Sequence, residues 1–583
     1  MKIHNIISIT FFILFFASCQ EMEFNATVEP RPYTLESLNE RAPKPTASLH
    51  RPFDFPLYLS GNFGELRSNH FHGGIDFKTQ GTIGHPIHCA DDGYVSQISV
   101  SGGGYGRAIY VVHPSSGLTT VYGHVEGFTP AIDSIVEARQ YQFETFAINM
   151  RFDKTDFPVK KGDIIAYSGN AGYSFGPHLH MEVRHTATGD AIDPLPYFKA
   201  HISDNESPKA HTLILYPDKS QGRVNGSSSA ARVDVQPGGT YSFSAWGKVY
   251  PAIRANDYMT EVQNVYGIKH LILKVDNIEV YRRTIDRFRM EATRAINTLV
   301  NYHDLNTSDN WNMHTHIPQS KPLGCMIESS LGDGAINITE ARPYHCEFIM
   351  MDEYGNSSSL PFTIQGEQTE IPSAQSPTGK LIKLNSNDNY TLGGLKLNFY
   401  QGCFYEDIHV DVKQNTNTSY LASTYSIGDN NTPIARPYRI EIKIDNDTIA
   451  DKSKYCMARI KDQNKSAVYS RYKNGAMVAY VSRFGEYSVT TDTIAPKIQA
   501  VNQLSWGTNG YVSFIITDNF SGIKSYRGEI DGKWVKFEAD NKSSSIGYKL
   551  SDKQVKRGGK HELTLTVVDN CGNTKNYSSN FMW

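Results

Sequence analysis

Between residues 57 and 205, apolar and polar positions alternate in short runs that glycine interrupts. "RAIYVVH" (107–113) and "LTTVYGHV" (118–125) alternate with a period of two, which predicts a pair of strands joined by a Ser-Ser-Gly turn. "KKGDIIAYSGNAG" (160–172) predicts a strand entered and left by turns. One segment breaks this rhythm. "TPAIDSIVEARQYQFETFAINM" (129–150) places Ile132, Ile135, Phe143, Phe146 and Met150 at mostly helical spacing. Thr129 and Pro130 suit a cap and a first helical turn. The pattern predicts a helical insertion over 129–160 in a mainly β domain.

Beyond about residue 205 the pattern is β throughout. "HTLILYP" (211–217) and "VYGIKHLILKVDNIEVYRR" (265–283) predict strands with a turn at "VDNIE". "CEFIMMDEYGNSSSLPFTI" (346–364) closes a β domain spanning 206–370, and the linker "QGEQTEIPSAQSPTG" (365–379) overlaps its end. A third β domain covers 380–491, and a fourth covers 492–583 from "DTIAPKI" onward. "IMMDEYGNSSSLPFTI" (349–364) and "TVVDNCGNTKNYSSNF" (566–581) echo each other as strand, Asp-x-x-Gly-Asn and strand. The Asx side chains and glycine serve a tight turn before a domain's last strand. "DNFSGIKSYRGEIDGKWVKFE" (518–538) adds Ser-Gly and Asp-Gly turns. Short strands at this spacing predict immunoglobulin-like sandwiches.

Composition fits several folded domains. The chain has 583 residues, 39% hydrophobic and 20% charged, with 11% aromatic residues including 34 tyrosines. The net charge of −3 gives no electrostatic footprint for nucleic acid. "MKIH" and the apolar run "NIISITFFILFFAS" (5–18) predict a signal peptide over 1–18, since the run is short for a membrane span. Residues 19–56, rich in Pro, Glu and Arg, read as a tether that ends against the first domain. Of the seven cysteines, 325 with 346 and 403 with 456 are the pairs that fall within single domains, and buried thiols are the equal alternative.

Candidate chemistry sits in two stretches. "SNHFHGGIDF" (68–77) places His72 and Asp76 around Gly-Gly-Ile, and the glycines permit a tight bend and close approach. "GPHLHMEV" (176–183) places His178 and His180 two apart, so both face one side of a strand. Together they could form an N/N/O metal site with a position left open for water. Glu182 shares the parity of His178 and His180, which suits a partner that orients a histidine.

"HFHGGIDF", the "GHV" that follows "TTVY", and "GPHLHMEVR" resemble the signature of the lysostaphin-like zinc metallopeptidases. "FFASC" resembles the lipobox of bacterial lipoproteins. The first resemblance covers roughly 60–200. It implies an antiparallel β metallopeptidase domain over 57–205 that binds Zn2+ through His72, Asp76 and His180, with His124 and His178 as the catalytic pair. His70 lacks the Gly-Gly-Ile-Asp sequel and is left without a role, and "MHTH" (313–316) lacks an acidic companion. The family implies hydrolysis of peptide cross-links in bacterial peptidoglycan. The lipobox implies a lipid on Cys19 and attachment to the outer membrane. The β domains from 206 onward resemble accessory sandwiches that position the peptidase or bind wall or protein. In one respect the chain departs from the family. Residues 125–161 separate His124 from Gly162, and this insertion near the groove suits a lid, a substrate wall or a self-blocking element. A degenerate or self-inhibited member that binds wall or regulates another hydrolase is the alternative function.

Overall fold

The computed structural model describes residues 48–583 apart from 374, 375, 418, 446 and 463. The signal peptide, Cys19 and most of the tether lie outside the described residues. The described end of the tether, 48–56, runs along the first domain without forming a strand. The His50 N–H donates to the Ala90 carbonyl at 2.7 Å, and Leu49 and Phe53 are buried in that domain's core.

The chain is mainly β, as the patterning predicts. The first domain is built on one sheet. Its strands run in the order Leu59–Gly61, Ile75–Lys78, His178–His185, Leu118–Gly123, Arg107–His113, Gly93–Val100 and Ile148–Arg151. The predicted pair 107–113 and 118–123 is antiparallel, and Gly117 takes a left-handed φ of 67° in the turn. Ile75, Phe77, Val95, Ile98, Ile109, Val111, Leu179 and Met181 form the core between this sheet and the rest of the domain.

The helical insertion is shorter than the pattern predicts. The helix spans Pro130–Phe143 and ends at Glu144 with a left-handed φ of 48°. Thr129 takes an extended conformation at its start, but its side chain makes no capping bond. The buried face is Ile132, Val136 and Gln140, at i, i+4 and i+8, whereas Ile135 and Phe143 are exposed. Residues 148–151 then leave the helix and pair with 97–100 as an edge strand. Helical periodicity through Phe146 and Met150 therefore misled, because an open sheet edge was available to claim that backbone.

The second domain gathers ten strands into one continuous ladder rather than two separate sheets. Two long strands, Lys209–Val224 and Ser242–Asn256, carry it, and Leu213, Ile253, Leu273, Phe348 and Phe362 from across the ladder meet in one core. The third domain stacks two five-stranded sheets and the last stacks two four-stranded sheets, so both are sandwiches. The predicted turns are present. Asp276 and Asn277 have left-handed φ values of 49° and 65°, and Asp531 and Gly532 of 50° and 73°, as two-residue hairpins demand.

The last domain folds back onto the first. The ring of Trp534 meets Tyr141 edge to face at 5.1 Å, Arg527 pairs with Glu144 at 2.6 Å, and Lys536 donates to Gln140 at 3.1 Å. The helix of the insertion is thus a docking platform for the last domain. All six described cysteines are unpaired, so neither within-domain disulfide forms. Cys403 Sγ lies by the Tyr400 N–H and the Pro437 carbonyl, while the Cys456 thiol is hydrogen-bonded to Cys571 of the last domain.

Candidate metal centre

Three adjacent strands assemble the site. Asp76 lies opposite His180, and His180 lies opposite Gly123. Directly opposed residues of antiparallel strands share a face, so these positions converge. His178 and Glu182 join them by the period of two. His72 precedes the strand and is returned to it by Gly73 and Gly74. A Cβ on Gly74 would stand 2.2 Å from the Met181 carbonyl oxygen, and one on Gly73 would stand 3.1 Å from Glu182 Oε1. The glycines therefore permit close approach, as expected. His124 follows the end of its strand with a left-handed φ of 60°, and its N–H donates to the Tyr105 carbonyl at 2.9 Å.

His72 Nε2, Asp76 Oδ1 and His180 Nδ1 face one another in a triangle. Its sides are 3.0 Å (His72 to Asp76), 2.9 Å (Asp76 to His180) and 2.9 Å (His180 to His72). All three residues are buried, and together they could hold a metal ion. Two imidazole nitrogens and one carboxylate oxygen at that spacing fit ligands that share one ion at about 2 Å.

Each donor is held from behind. His72 Nδ1 lies 2.7 Å from the Asn62 carbonyl and donates to it, which leaves Nε2 as the lone-pair nitrogen. His180 Nε2 lies 2.9 Å from Glu182 Oε1, which leaves Nδ1 for the centre. Asp76 Oδ2 accepts from Arg67 at 2.7 Å. Glu182 is itself held by Arg184 Nε at 2.6 Å and by the Tyr105 hydroxyl, which donates to it.

The protonation states follow from these contacts. Burial pushes His72 down to about 4. Burial also acts to lower His180, but hydrogen bonds to Asp76 and Glu182 outweigh it and lift this histidine to about 9. Burial acts to raise Glu182, yet Arg184 and His180 hold it at about 2. In the metal-free protein His180 is therefore a cation between two carboxylates.

His124 and His178 stand beside this triangle with ring centroids 4.7 Å apart. His124 Nδ1 donates to the Ala171 carbonyl at 2.8 Å and His178 Nδ1 to the Gly176 carbonyl at 2.8 Å. Each is left with Nε2 as its basic atom, and His178 Nε2 is 3.7 Å from Asp76 Oδ1. Burial lowers both, and takes His124 to about 3. Ala171 and Gly176 belong to the loop between Tyr167 and His178, so its carbonyls set the tautomers of both histidines.

The structure brings together all five residues singled out in the sequence: His72, Asp76, His124, His178 and His180. His70 is exposed and bonds its own neighbour's carbonyl, that of Ser68, at 2.8 Å. In "MHTH", His316 pairs with Glu406 of the third domain at 2.7 Å, a domain contact. Glu182 does orient a histidine. At Gly123 a Cβ would meet the Tyr105 ring at 3.1 Å, so the glycine lets the two strand ends close up. Sequence reasoning missed Arg67, Arg184 and the carbonyls of Asn62, Ala171 and Gly176. Arg184 carries a signal, since it continues the parity of Glu182. The carbonyls carry none.

Two other domains touch the loops around the site. From the second, Thr293 Oγ1 accepts the Phe71 N–H at 2.8 Å and Asn297 donates to Asn69 at 2.9 Å. From the last, the Asn541 N–H donates to the Gly102 carbonyl at 2.9 Å, Glu538 pairs with Arg107 at 2.9 Å, and Lys542 donates to the Asn170 carbonyl.

Known proteins are similar to part of this chain. An uncharacterized metalloprotease of Haemophilus influenzae is 36% identical over 125 residues, 21% of this chain and 20% of its own length. The DD-carboxypeptidase/endopeptidase Mpg of Neisseria meningitidis serogroup B is 29% identical over 131 residues, 22% of this chain and 23% of its own. The homologues of this chain are lysostaphin-family metallopeptidases. The chain spans about a fifth of the length of these two relatives. Among solved structures, the catalytic domain of lysostaphin from Staphylococcus simulans matches 24% of this chain and 92% of its own at 24% identity, with a TM-score of 0.19. Residues 379–492 match the Zu5-like domain family.

Proposed function

We propose that this protein is a zinc-dependent endopeptidase that hydrolyses peptide cross-links of bacterial peptidoglycan. The observation that carries the reading is the buried N/N/O triangle of His72, Asp76 and His180 with two further imidazoles beside it. Two nitrogens and one oxygen are a donor set suited to catalytic zinc. When bound, zinc would polarise the scissile carbonyl and acidify a water molecule. His124 and His178 supply the proton handling. Each is neutral and has its Nδ1 proton committed to a backbone carbonyl, so each Nε2 can accept the water proton or, once protonated, donate to the oxygen of the tetrahedral intermediate. The two are alike in this respect, and the division between base and oxyanion donor stays open. The Asn62 carbonyl and Glu182 keep His72 and His180 in register, and burial strengthens every charge contact inside the site.

The substrate class rests on the relatives, one of them a DD-carboxypeptidase/endopeptidase. A peptidoglycan substrate implies export, which agrees with the signal-like start, and Cys19 is proposed as a lipid anchor to the outer membrane. Purified sacculi digested with zinc-loaded wild type should release shortened muropeptides by mass analysis. His180→Ala should release none. Full activity in that variant refutes the metal assignment. Inert zinc-loaded wild type refutes the endopeptidase reading and returns weight to a binding or regulatory role.

A further inference from the structure

Outside the catalytic centre, two groups of carboxylates converge in the interior. Asp204, at the end of the first domain, and Asp257 and Asp352 of the second offer oxygens that lie within 4.8 Å of one another, and all three are buried. Asp492, Asp518 and Asp569 of the last domain also bring oxygens within 4.8 Å of one another; Asp492 and Asp569 are buried and Asp518 is half-buried. The two groups are built alike. Each begins with Asp-x-x-x-Pro at the entry to its domain (204–208 and 492–496), continues with Asp-x-x-Thr/Ser (257–260 and 518–521), and ends with Asp-x-x-Gly-Asn (352–356 and 569–573). The hydrogen bonds match as well. Asn356 Nδ2 donates to Asp352 Oδ2 at 2.7 Å and to the Asp204 carbonyl at 3.2 Å. Asn573 Nδ2 donates to Asp569 Oδ2 at 2.7 Å and to the Asp492 carbonyl at 3.0 Å. The Thr260 N–H donates to Asp204 at 3.1 Å and the Ser521 N–H to Asp492 at 3.0 Å.

An acidic cluster alone means little, since backbone N–H groups can satisfy it. Here they do not finish the task. Asp257 is 5% exposed, and its Oδ1 is buried with no hydrogen-bond partner. Asp518 Oδ1, at the matching position, is also buried without one. A buried acceptor left bare costs about 1–3 kcal/mol and more when charged. A cavity adjoins the first cluster, lined by Asp204, Asp257, Asp352 and Tyr354. Lys269 lines it too, but this ammonium is spent on Asp193 at 2.6 Å and on Glu353.

We infer that each cluster is a calcium-type divalent cation site that ties a domain's entry strand to its closing hairpin. The donor chemistry selects the ion: all donors are oxygens, mostly carboxylate, with no nitrogen or sulfur. Three carboxylates converging on one point suit calcium, which takes about six to eight oxygens, whereas magnesium is usually held by one or two carboxylates and keeps its waters. Asp204 stands at the junction of peptidase and second domain, and Asp492 at the junction of third and last domains. An ion at each would fix the angle at which its domain leaves the preceding one.

The competing occupant is the proton. Burial pushes Asp257 up to about 8, and shared protons could relieve the repulsion. The full-length zinc-loaded protein, stripped of other cations on a chelating resin, separates the two. Titrated with calcium chloride, it should bind two calcium ions per chain by equilibrium dialysis and melt several degrees higher. Terbium should give tyrosine-sensitised emission, through Tyr258 and Tyr354, that calcium quenches. Asp257→Asn and Asp518→Asn should each lower the stoichiometry from two to one, and the double variant to none. Wild type that binds no calcium and shows no thermal shift overturns the inference, as does undiminished stoichiometry in the double variant.

Discussion

Replacing Glu182 by Gln keeps the shape of the side chain and removes its charge, and three groups feel the change. His180 Nε2 sits 2.9 Å from Glu182 Oε1, Arg184 Nε sits 2.6 Å from Oε2, and the Tyr105 hydroxyl donates to Oε1. Loss of an outer partner to a metal-binding histidine typically costs 10–100-fold in metal affinity, about 1.4–2.7 kcal/mol. Glu182 is 1% exposed at its side chain, so the variant also strands a largely buried guanidinium. Breaking such a pair costs about 3–5 kcal/mol of stability. The two effects separate in the double variant Glu182→Gln/Arg184→Met, which removes the stranded charge. Stability should largely return there, while zinc affinity stays 10–100-fold low. Tyr105→Phe keeps the carboxylate and should change affinity about threefold or less. Zinc competition against a chromophoric chelator reads affinity, and thermal melting reads stability. A folded Glu182→Gln variant that binds zinc as tightly as wild type refutes the role given to this carboxylate. Recovery of affinity together with stability in the double variant would make the effect one of folding alone.

In the metal-free protein the proton on His180 is held up to about 9, above the ordinary histidine value, and Nδ1 must lose it to accept a metal. Zinc uptake near pH 7.5 should therefore release about one proton from His180, and affinity should rise with pH until about 9. Calorimetry in buffers of different ionisation enthalpy measures this, and uptake without proton release refutes it. Gly74→Ala drives a Cβ to 2.2 Å from a backbone oxygen and should cost about 3 kcal/mol or more. Gly123→Ala meets the Tyr105 ring at 3.1 Å and His180 at an ordinary 3.5 Å, and should cost about 1 kcal/mol. Equal melting temperatures for these two variants would refute the distinction. Trp534→Ala removes the ring packed on Tyr141, worth about 0.5–1.5 kcal/mol beyond its buried area. Hydrogen exchange over 101–107 should quicken as the last domain loosens, and unchanged protection there would refute the coupling.

The five central residues were legible because strand periodicity and glycine act locally. His178, His180 and Glu182 share parity whatever surrounds them, and only glycine fits at 74. The helix end was not legible, because a sheet edge 50 residues upstream decided where residues 148–151 went. The tautomers of His72, His124 and His178 were also hidden. Backbone carbonyls set them, and every residue has one. For the cysteines, sequence proximity offered a Cys403–Cys456 disulfide and buried thiols equally, and the structure has free thiols. That the third and last domains meet at a seam placing Cys571 beside Cys456 was not legible. The Asp-x-x-Gly-Asn echo was visible as two turns, but its convergence with aspartates far along the chain was not.

The salt bridge between Arg107 and Glu538 joins residues 431 apart in the chain. A ribosome delivers the chain from its N-terminus, so the first domain emerges well before the residues that brace its rim. Until residues 534–542 arrive, the loop carrying Tyr105 lacks the outer wall that Glu538 and Asn541 provide. The rim of the candidate metal centre is thus completed only once the fourth domain has been made. A chain stopped before residue 534 would keep His72, Asp76 and His180 and yet leave the loop that carries Tyr105 unbraced, so the geometry of the first domain depends on the presence of the fourth.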